Sequence, residues 1–497
     1  MDSLVDLVYT PPEAWEEAAR PAFAGSLAPR YYRVAEDALL DPRGEGERRF
    51  QLRINASTLG TNVPFAALIG PDQERSGPYG GMSFVMFPDK EAGAPALIGM
   101  VVGTNGLAPD EEILGRPGHA RKVKAISTWL RSRGAKHAWA KQDPVRIDVP
   151  LPASLGGPLA PWKAATDRYG RVLYAAFAPP SERSAAGDEL VRDALTAFID
   201  LFFAERGIEV LTAARQDSER IRRAWLATTL PDITGQEVAE ILERRKYAVL
   251  EGPPGTGKTE LAANLLREHY AGNGRVIQFH PGTTYESFIG GLAPRDGGAM
   301  GFTFAPAAGH LMEAAIAAGR SNAPYLLVVD EINRADLAKV LGEAIYLFEP
   351  GRHEREVTLA HEFDGVGRTL RLPPNLHLLG TMNSADRSIA ILDLAVRRRF
   401  AFLQLWPQLR VVEEHAGTQL QRAFHDLLMV FLEHASEDAF TLMPGHAYFL
   451  AKAGAAGRAR LQTEIIPLLR EYLRQGYVAG FADEIQAWID SYEESAA

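Results

Sequence analysis

The sequence predicts an α/β protein in three parts: a mixed α+β region over residues 1–215, a parallel-sheet core over 216–405, and a mostly helical segment over 406–497. Three observations predict it. The texture changes from short β-like runs with a few helices, to regular strand–helix alternation, to helical spacing. Tyr247-Ala248-Val249-Leu250 is a strand-type run that leads through a glycine-rich loop into a helical run, Leu261 to Tyr270. Two later apolar runs, Leu326 to Val329 and Leu376 to Thr381, have the length of buried parallel strands and end in polar residues. A chain of 497 residues exceeds one ordinary core, so several domains are expected.

In the first part, residues 62–69, 80–87 and 96–106 read as strands. Between Glu112 and Asp143 there is no acidic residue, whereas Arg116, Arg121, Lys122, Lys124, Arg131, Arg133, Lys136 and Lys141 are basic. Against a net charge of −10 this contrast marks a candidate DNA-binding patch at Arg116, Arg121, Lys122, Lys124 and Arg131. Val123, Ile126 and Leu130 share one helical face, which points Arg121 and Lys124 towards solvent. Trp129 and Trp139 either stack on a base or fill the core, and a solvated basic face without a ligand is the alternative to a DNA site. The Pro/Gly/Ser-rich stretch Pro179 to Gly187 and the segment Leu230 to Gly235 are candidate seams. Between them Val191, Leu195, Phe198 and Phe202 recur at helical spacing, with Asp188 placed to cap the start.

The second part carries the chemistry. Gly252-Pro253-Pro254-Gly255-Thr256-Gly257-Lys258-Thr259 fills the phosphate-loop pattern between a strand and a helix. Its glycines let backbone N–H groups curl around phosphates, Lys258 reaches the outer phosphate oxygens, and the Thr259 hydroxyl is a ligand for Mg2+. Asp330-Glu331 closes the next strand, where a carboxylate faces the phosphate loop. Asp330 is expected to hold the metal through water and Glu331 to orient or deprotonate the attacking water. Asn383, just past the third strand, offers an amide to that water or to the γ-phosphate. The run Arg397-Arg398-Arg399-Phe400 closes a helix, and its plainer reading is a solvated end; in a chain that resembles AAA+ ring proteins that end is expected to face a neighbouring subunit's nucleotide, with Arg398 and Arg399 the candidates for an arginine supplied there.

These residues resemble a known family. Asp330-Glu331-Ile332-Asn333-Arg334-Ala335 is similar to the branch of AAA+ proteins that contains MoxR-type chaperones and McrB. Gly380-Thr381-Met382-Asn383-Ser384-Ala385-Asp386-Arg387-Ser388 resembles the McrB signature MNTADRS, with Ser384 in place of the threonine. Gln278-Phe279-His280 with Tyr285 to Ile289, Gly445-His446-Ala447-Tyr448-Phe449 and Pro467 to Leu473 resemble further McrB segments, so the likeness spans roughly residues 230–480. The early strands resemble a small domain often fused to such motors.

The resemblance implies an AAA+ P-loop domain with a helical lid, hydrolysing GTP or ATP with Mg2+ in a homo-oligomeric ring, a hexamer, within a restriction or anti-phage system. It also implies a separate McrC-like nuclease, met by the loop containing Asp386 and Arg387, and DNA as a partner. No nuclease constellation is found in the chain itself; Pro88-Asp89-Lys90-Glu91 has the letters without the spacing. The rival is a MoxR-like chaperone that remodels protein complexes without DNA. The longest apolar runs are far too short to cross a bilayer and no signal peptide is indicated, so no membrane partner and a cytoplasmic location are expected. With no cysteine, disulfides, thiol catalysis and cysteine-held zinc are excluded.

Overall fold

The computed structural model describes residues 1–31, 50–59, 62–71, 73, 77–89, 93–296, 301–349, 351–385, 394–451 and 455–494. They form two compact units: Met1–Thr229 with Leu432–His434, and Leu230–Phe431 with Ala435–Ala497.

The first unit is built on a six-stranded antiparallel sheet in the order β1-β2-β3-β4-β6-β5. Its strands are β1 (Gln51–Asn55), β2 (Phe65–Ile69), β3 (Met82–Phe87), β4 (Leu97–Val102), β5 (His137–Ala140) and β6 (Leu173–Ala178). Strand alternation divides the apolar side chains between two cores. Phe84 and Met86 of β3 join Ile98 and Met100 of β4 on one face, where α1 (Trp15–Leu27), α2 (Pro117–Ser132) and α3 (Ala185–Ala204) pack. Val85, Phe87, Leu97 and Val101 face the other way, towards Leu159 and Trp162.

Helix α3 buries Val191, Leu195, Phe198 and Phe202, the residues picked out by their spacing. It starts earlier than the sequence suggests: Ser184 is the cap, its Oγ accepting from Gly187 N at 3.1 Å, and Asp188 lies inside the first turn. The first unit also continues past residue 215. Helix α4 (Thr212–Leu226) buries Ile221 and Trp225 in the same core, so the division falls at Thr229–Leu230.

The second unit holds a five-stranded sheet in the order β15-β7-β14-β11-β8, every pairing parallel. The strands are β7 (Tyr247–Gly252), β8 (Gly274–Gln278), β11 (Tyr325–Asp330), β14 (Leu376–Asn383) and β15 (Ala401–Gln404). Here too alternation serves two faces: Tyr247, Val249, Leu327 and Val329 enter one core, Ala248, Leu250, Leu326 and Val328 the other. Helix α5 (Gly235–Arg245) opens with a reciprocal cap between Thr234 and Glu237. Helices α6 (Lys258–Glu268) and α7 (His310–Gly319) complete the layers, and two hairpins, β9 (Gly290–Asp296) with β10 (Phe302–Ala308) and β12 (Val357–Phe363) with β13 (Gly367–Leu370), are added to them. Past β15 the chain is mostly helical, with its longest helices at Thr418–His434 and Ala482–Glu494. Among the described residues no helix is long and apolar enough to cross a membrane.

Candidate nucleotide site

The parallel sheet sets the C-terminal ends of β7, β14 and β11 side by side. Asn383 is paired in register with Gly252, and Gly380 with Val329, so Thr381 comes level with Asp330. The loop Gly252 to Thr259 leaves the end of β7, and α6 begins at Lys258. Gly255 and Gly257 both have φ +79°, a left-handed backbone that side chains other than glycine rarely adopt. Such a backbone lets the amides of a loop curl inwards, here at the positive end of α6, which makes the loop a candidate cradle for phosphate.

Lys258 is buried in this loop, its Nζ donating to the carbonyl oxygens of Gly252 (2.9 Å) and Pro253 (2.7 Å). Burial lowers its pKa to about 8, with the carboxylates of Asp330 and Glu331 opposing the shift. The Thr256 hydroxyl also donates to Pro253 O, at 2.9 Å.

The metal candidates meet although they lie far apart in sequence: Thr259 Oγ donates to Asp330 Oδ1 at 2.9 Å. One hydroxyl and one carboxylate, both hard oxygen donors beside a phosphate cradle, fit Mg2+, whose shell is otherwise completed by water and substrate phosphates. Asp330 Oδ1 accepts a second hydroxyl, Thr381 Oγ at 2.6 Å. Glu331 has φ +52°; its N–H donates to Thr381 Oγ at 3.0 Å and its carboxylate pairs with Arg334. Asn333 Nδ2 donates to the main-chain oxygen of Asn383 at 3.4 Å, tying the third strand to the second.

The short helix α8 (Leu394–Arg397) leads into the arginine run. Arg397 lies 4.0 Å from Glu251 Oε1 and 4.9 Å above the Phe402 ring. Arg398 is exposed, whereas Arg399 is buried within its own subunit. Of the two sequence candidates for a trans arginine, Arg398 is the one presented to solvent. Asp386 and Arg387 lie outside the described residues.

Sequence reasoning gave no role to three groups at this site. Thr381 and Arg334 are the partners of Asp330 and Glu331 just described. The third is Gly445–Tyr448: Gly445 N donates to Pro254 O at 3.0 Å and Ala447 N to Gly255 O at 2.9 Å, so the helical region rests on the phosphate loop. A Cβ on Gly445 would stand 2.0 Å from Gly255 C. The resemblance at Gly445 to Phe449 was the available signal.

The basic stretch of the first unit departs from its expected geometry. Lys122 is buried and bonds Glu205 at 2.9 Å, and Arg116 lies 3.6 Å from the same carboxylate. Burial alone would raise the Glu205 pKa, but His119 and Lys122 hold it down at about 2. Arg121 is buried as well, not solvent-facing, because α2 packs on several sides and buries Arg121, Val123, Ser127 and Trp129 alike. Lys124 and Arg131 remain exposed. The continuous basic face expected from Arg116 to Arg131 is therefore absent, and Trp129 belongs to the core.

Elsewhere on this unit a cavity of about 600 Å³ is lined by Phe65, Tyr79, Phe87 and Tyr169 together with Arg53 and Arg168. Arg53 lies 5.3 Å from the Tyr79 ring centre, Arg168 5.6 Å from that of Tyr169, and Phe87 stacks on Tyr169 at 5.4 Å.

Residues 248–400 match the AAA domain (dynein-related subfamily). Among curated proteins, the chain is 30% identical over 272 residues to the type IV methyl-directed restriction enzyme EcoKMcrB subunit of Escherichia coli (strain K12), covering 49% of this chain and 57% of that protein. It is 27% identical over 191 residues to the type II restriction enzyme BsuMI component YdiS of Bacillus subtilis (strain 168), covering 31% of this chain and 55% of that protein. The chain thus spans a little over half the length of these curated relatives. Phosphate loop, Thr259–Asp330 pair, strand order and relatives agree: the chain carries an AAA+ P-loop nucleoside-triphosphatase domain at residues 248–400 and is similar to McrB over about half of its length.

Proposed function

We propose that this chain is the nucleotide-hydrolysing motor subunit of a restriction system, assembling with its own copies into a ring and acting on DNA with a separate nuclease subunit. The observation that carries the hydrolytic part is the gathering of Thr259, Asp330 and Glu331 beside the phosphate loop: Thr259 bonds Asp330 directly, and the Thr381 hydroxyl links Asp330 to the Glu331 backbone. In this reading the loop amides take the phosphates, and Lys258 turns from its carbonyl partners to the outer phosphate oxygens. Thr259 and Asp330 would hold Mg2+, which neutralises charge on the β and γ oxygens. Glu331, once turned from Arg334, takes the proton of the attacking water, and the Asn383 amide aligns that water. Arg398 of one copy serves the site of the next, which makes hydrolysis a property of the assembly.

The relatives' printed roles in restriction support the DNA and nuclease partners. In the first unit, the cavity between Arg53, Tyr79 and Tyr169 has the chemistry for a flat base beside a phosphate, since rings stack and guanidinium groups pair with anions. The rival, a chaperone that never meets DNA, is favoured by the burial of Arg121 and Lys122.

Phosphate release is measured with GTP and with ATP, with and without DNA, over a range of protein concentration. Turnover is expected to rise with concentration, and Glu331→Gln is expected to keep nucleotide binding while stopping hydrolysis, because an amide cannot accept the proton. Normal turnover by Glu331→Gln refutes the site; no affinity for any DNA at low salt leaves the chaperone reading ahead.

A further inference from the structure

Thr381 stands at a junction that the roles given so far do not use. It lies on β14 two residues before Asn383, and it is 2% exposed. Its hydroxyl is engaged in both directions. The proton goes to Asp330 Oδ1 at 2.6 Å, and the oxygen accepts the N–H of Glu331 at 3.0 Å. One hydroxyl has one proton and two lone pairs, so both bonds form at once. The two residues it joins are the metal carboxylate and the general base. Asp330 Oδ1 also receives the Thr259 hydroxyl at 2.9 Å, which leaves the carboxylate bridging two side chains of fixed direction. Glu331 keeps a left-handed backbone, φ +52°, that a residue with a Cβ adopts only when its surroundings hold it there. The amide bonded to Thr381 belongs to that strained residue.

We propose that Thr381 is a positioning residue for hydrolysis: its single hydroxyl aims the Asp330 carboxylate at the metal and holds the Glu331 backbone in the turn that presents its side chain. It touches neither nucleotide nor metal. The strand that carries Asn383 therefore has a second task, performed from the same face of β14, since residues two apart on a strand point the same way. This inference rests on the hydrolytic reading above.

The test compares Thr381→Val, which keeps the shape and β-branching but lacks the hydroxyl, with Thr381→Ser, which keeps the hydroxyl. Thr381→Ala stands in if the valine variant does not fold. Turnover is recorded against nucleotide and against Mg2+. Independently, Mn2+ is titrated into full-length protein with a non-hydrolysable nucleotide and followed by electron paramagnetic resonance. Loss of a partner behind a metal ligand typically costs about 10–100-fold. Thr381→Val is expected to lose about that factor in kcat, to need several-fold more divalent metal by both readouts, and to keep KM for nucleotide within about twofold at saturating Mg2+. Thr381→Ser is expected to restore most of both. A folded valine or alanine variant with wild-type kcat and metal requirement overturns the proposal. So does a serine variant as impaired as valine, which would mean that the methyl group and not the hydroxyl matters. Wild-type protein without turnover refutes the hydrolytic reading instead, and the Mn2+ titration still decides whether Thr381 places the metal carboxylate.

Discussion

The Lys258 ammonium is buried, held by main-chain carbonyl groups, with a pKa lowered by burial to about 8. A triphosphate brings several negative charges to the same nitrogen and restores its preference for the charged form. Between these two pKa values the free chain is partly deprotonated and the complex is not, so binding takes up a proton. The sign follows: affinity is greatest below about pH 8 and falls as pH rises, by up to tenfold per unit. From about pH 7.5 to about pH 9.5 the protonated fraction of a group with pKa near 8 drops about 25-fold, equivalent to ~1.9 kcal/mol of binding free energy. The nucleotide phosphates are already ionised over this range, and guanine N1 ionisation is subtracted when GTP is the ligand. Isothermal titration calorimetry in buffers of differing ionisation enthalpy counts the proton, and anisotropy of a labelled nucleotide follows the affinity. Lys258→Arg, which does not titrate there, is expected to flatten the profile. Wild-type affinity that is constant across the range, with no proton uptake, refutes the account of a desolvated lysine recharged by phosphate.

Three further outcomes are expected. Arg398→Ala is expected to remove most turnover while leaving melting unchanged, and mixing it with Lys258→Ala subunits to restore part of the turnover at interfaces that pair a sound pocket with a sound arginine; Arg399→Ala, losing a buried side chain, is expected to lower the melting temperature. Lys122→Glu sets a second anion against Glu205 inside the first unit and is expected to destabilise it by ~3–5 kcal/mol, whereas Lys124→Glu on the exposed side of α2 is expected to be within about 0.5 kcal/mol of wild type by denaturant titration. Because the Glu205 pKa is held at about 2, below its ordinary 4.5, its contribution is complete above about pH 4.5 and is lost as pH falls towards 2, so thermal scans of the Lys124→Glu and wild-type chains should show the same acid limb, and Glu205→Gln a shallower one.

The phosphate loop was legible because its chemistry is local: eight consecutive residues between a strand and a helix. The meeting of Thr259 with Asp330 was legible at long range because strand ends in a parallel sheet converge on one edge. Thr381 was not, since a threonine inside an apolar strand reads simply as a β-former; its level with Asp330 exists only once β14 is paired with β11. Arg121 and Lys122 were misread for a related reason. A single apolar stripe at Val123, Ile126 and Leu130 implies a helix with one wet side, but α2 is enclosed on more than one side, and Lys122 is taken inwards to Glu205 and Arg121 into the packing, while Lys124 and Arg131 stay exposed. The start of α3 went to Asp188 on the strength of an acidic residue near the first turn, although Ser184 had the extended backbone that a cap requires.

The two hydrogen bonds that seat Gly445–Ala447 on the phosphate loop are made by peptide groups: two main-chain N–H donors on one side and the carbonyl oxygens of Pro254 and Gly255 on the other. Peptide groups are the same whatever side chains they bear, so replacing His446 by alanine leaves both of these donors and both acceptors in place. The seat answers to changes in the backbone instead. Replacing the amide of Ala447 by an ester removes one donor and leaves every side chain in place, and Gly445→Ala, whose Cβ would press into Gly255, wedges the two segments apart. The phosphate loop and the helical region are thus bonded through main-chain atoms, which a substitution reaches by adding bulk, as at Gly445, and not by removing a side-chain group.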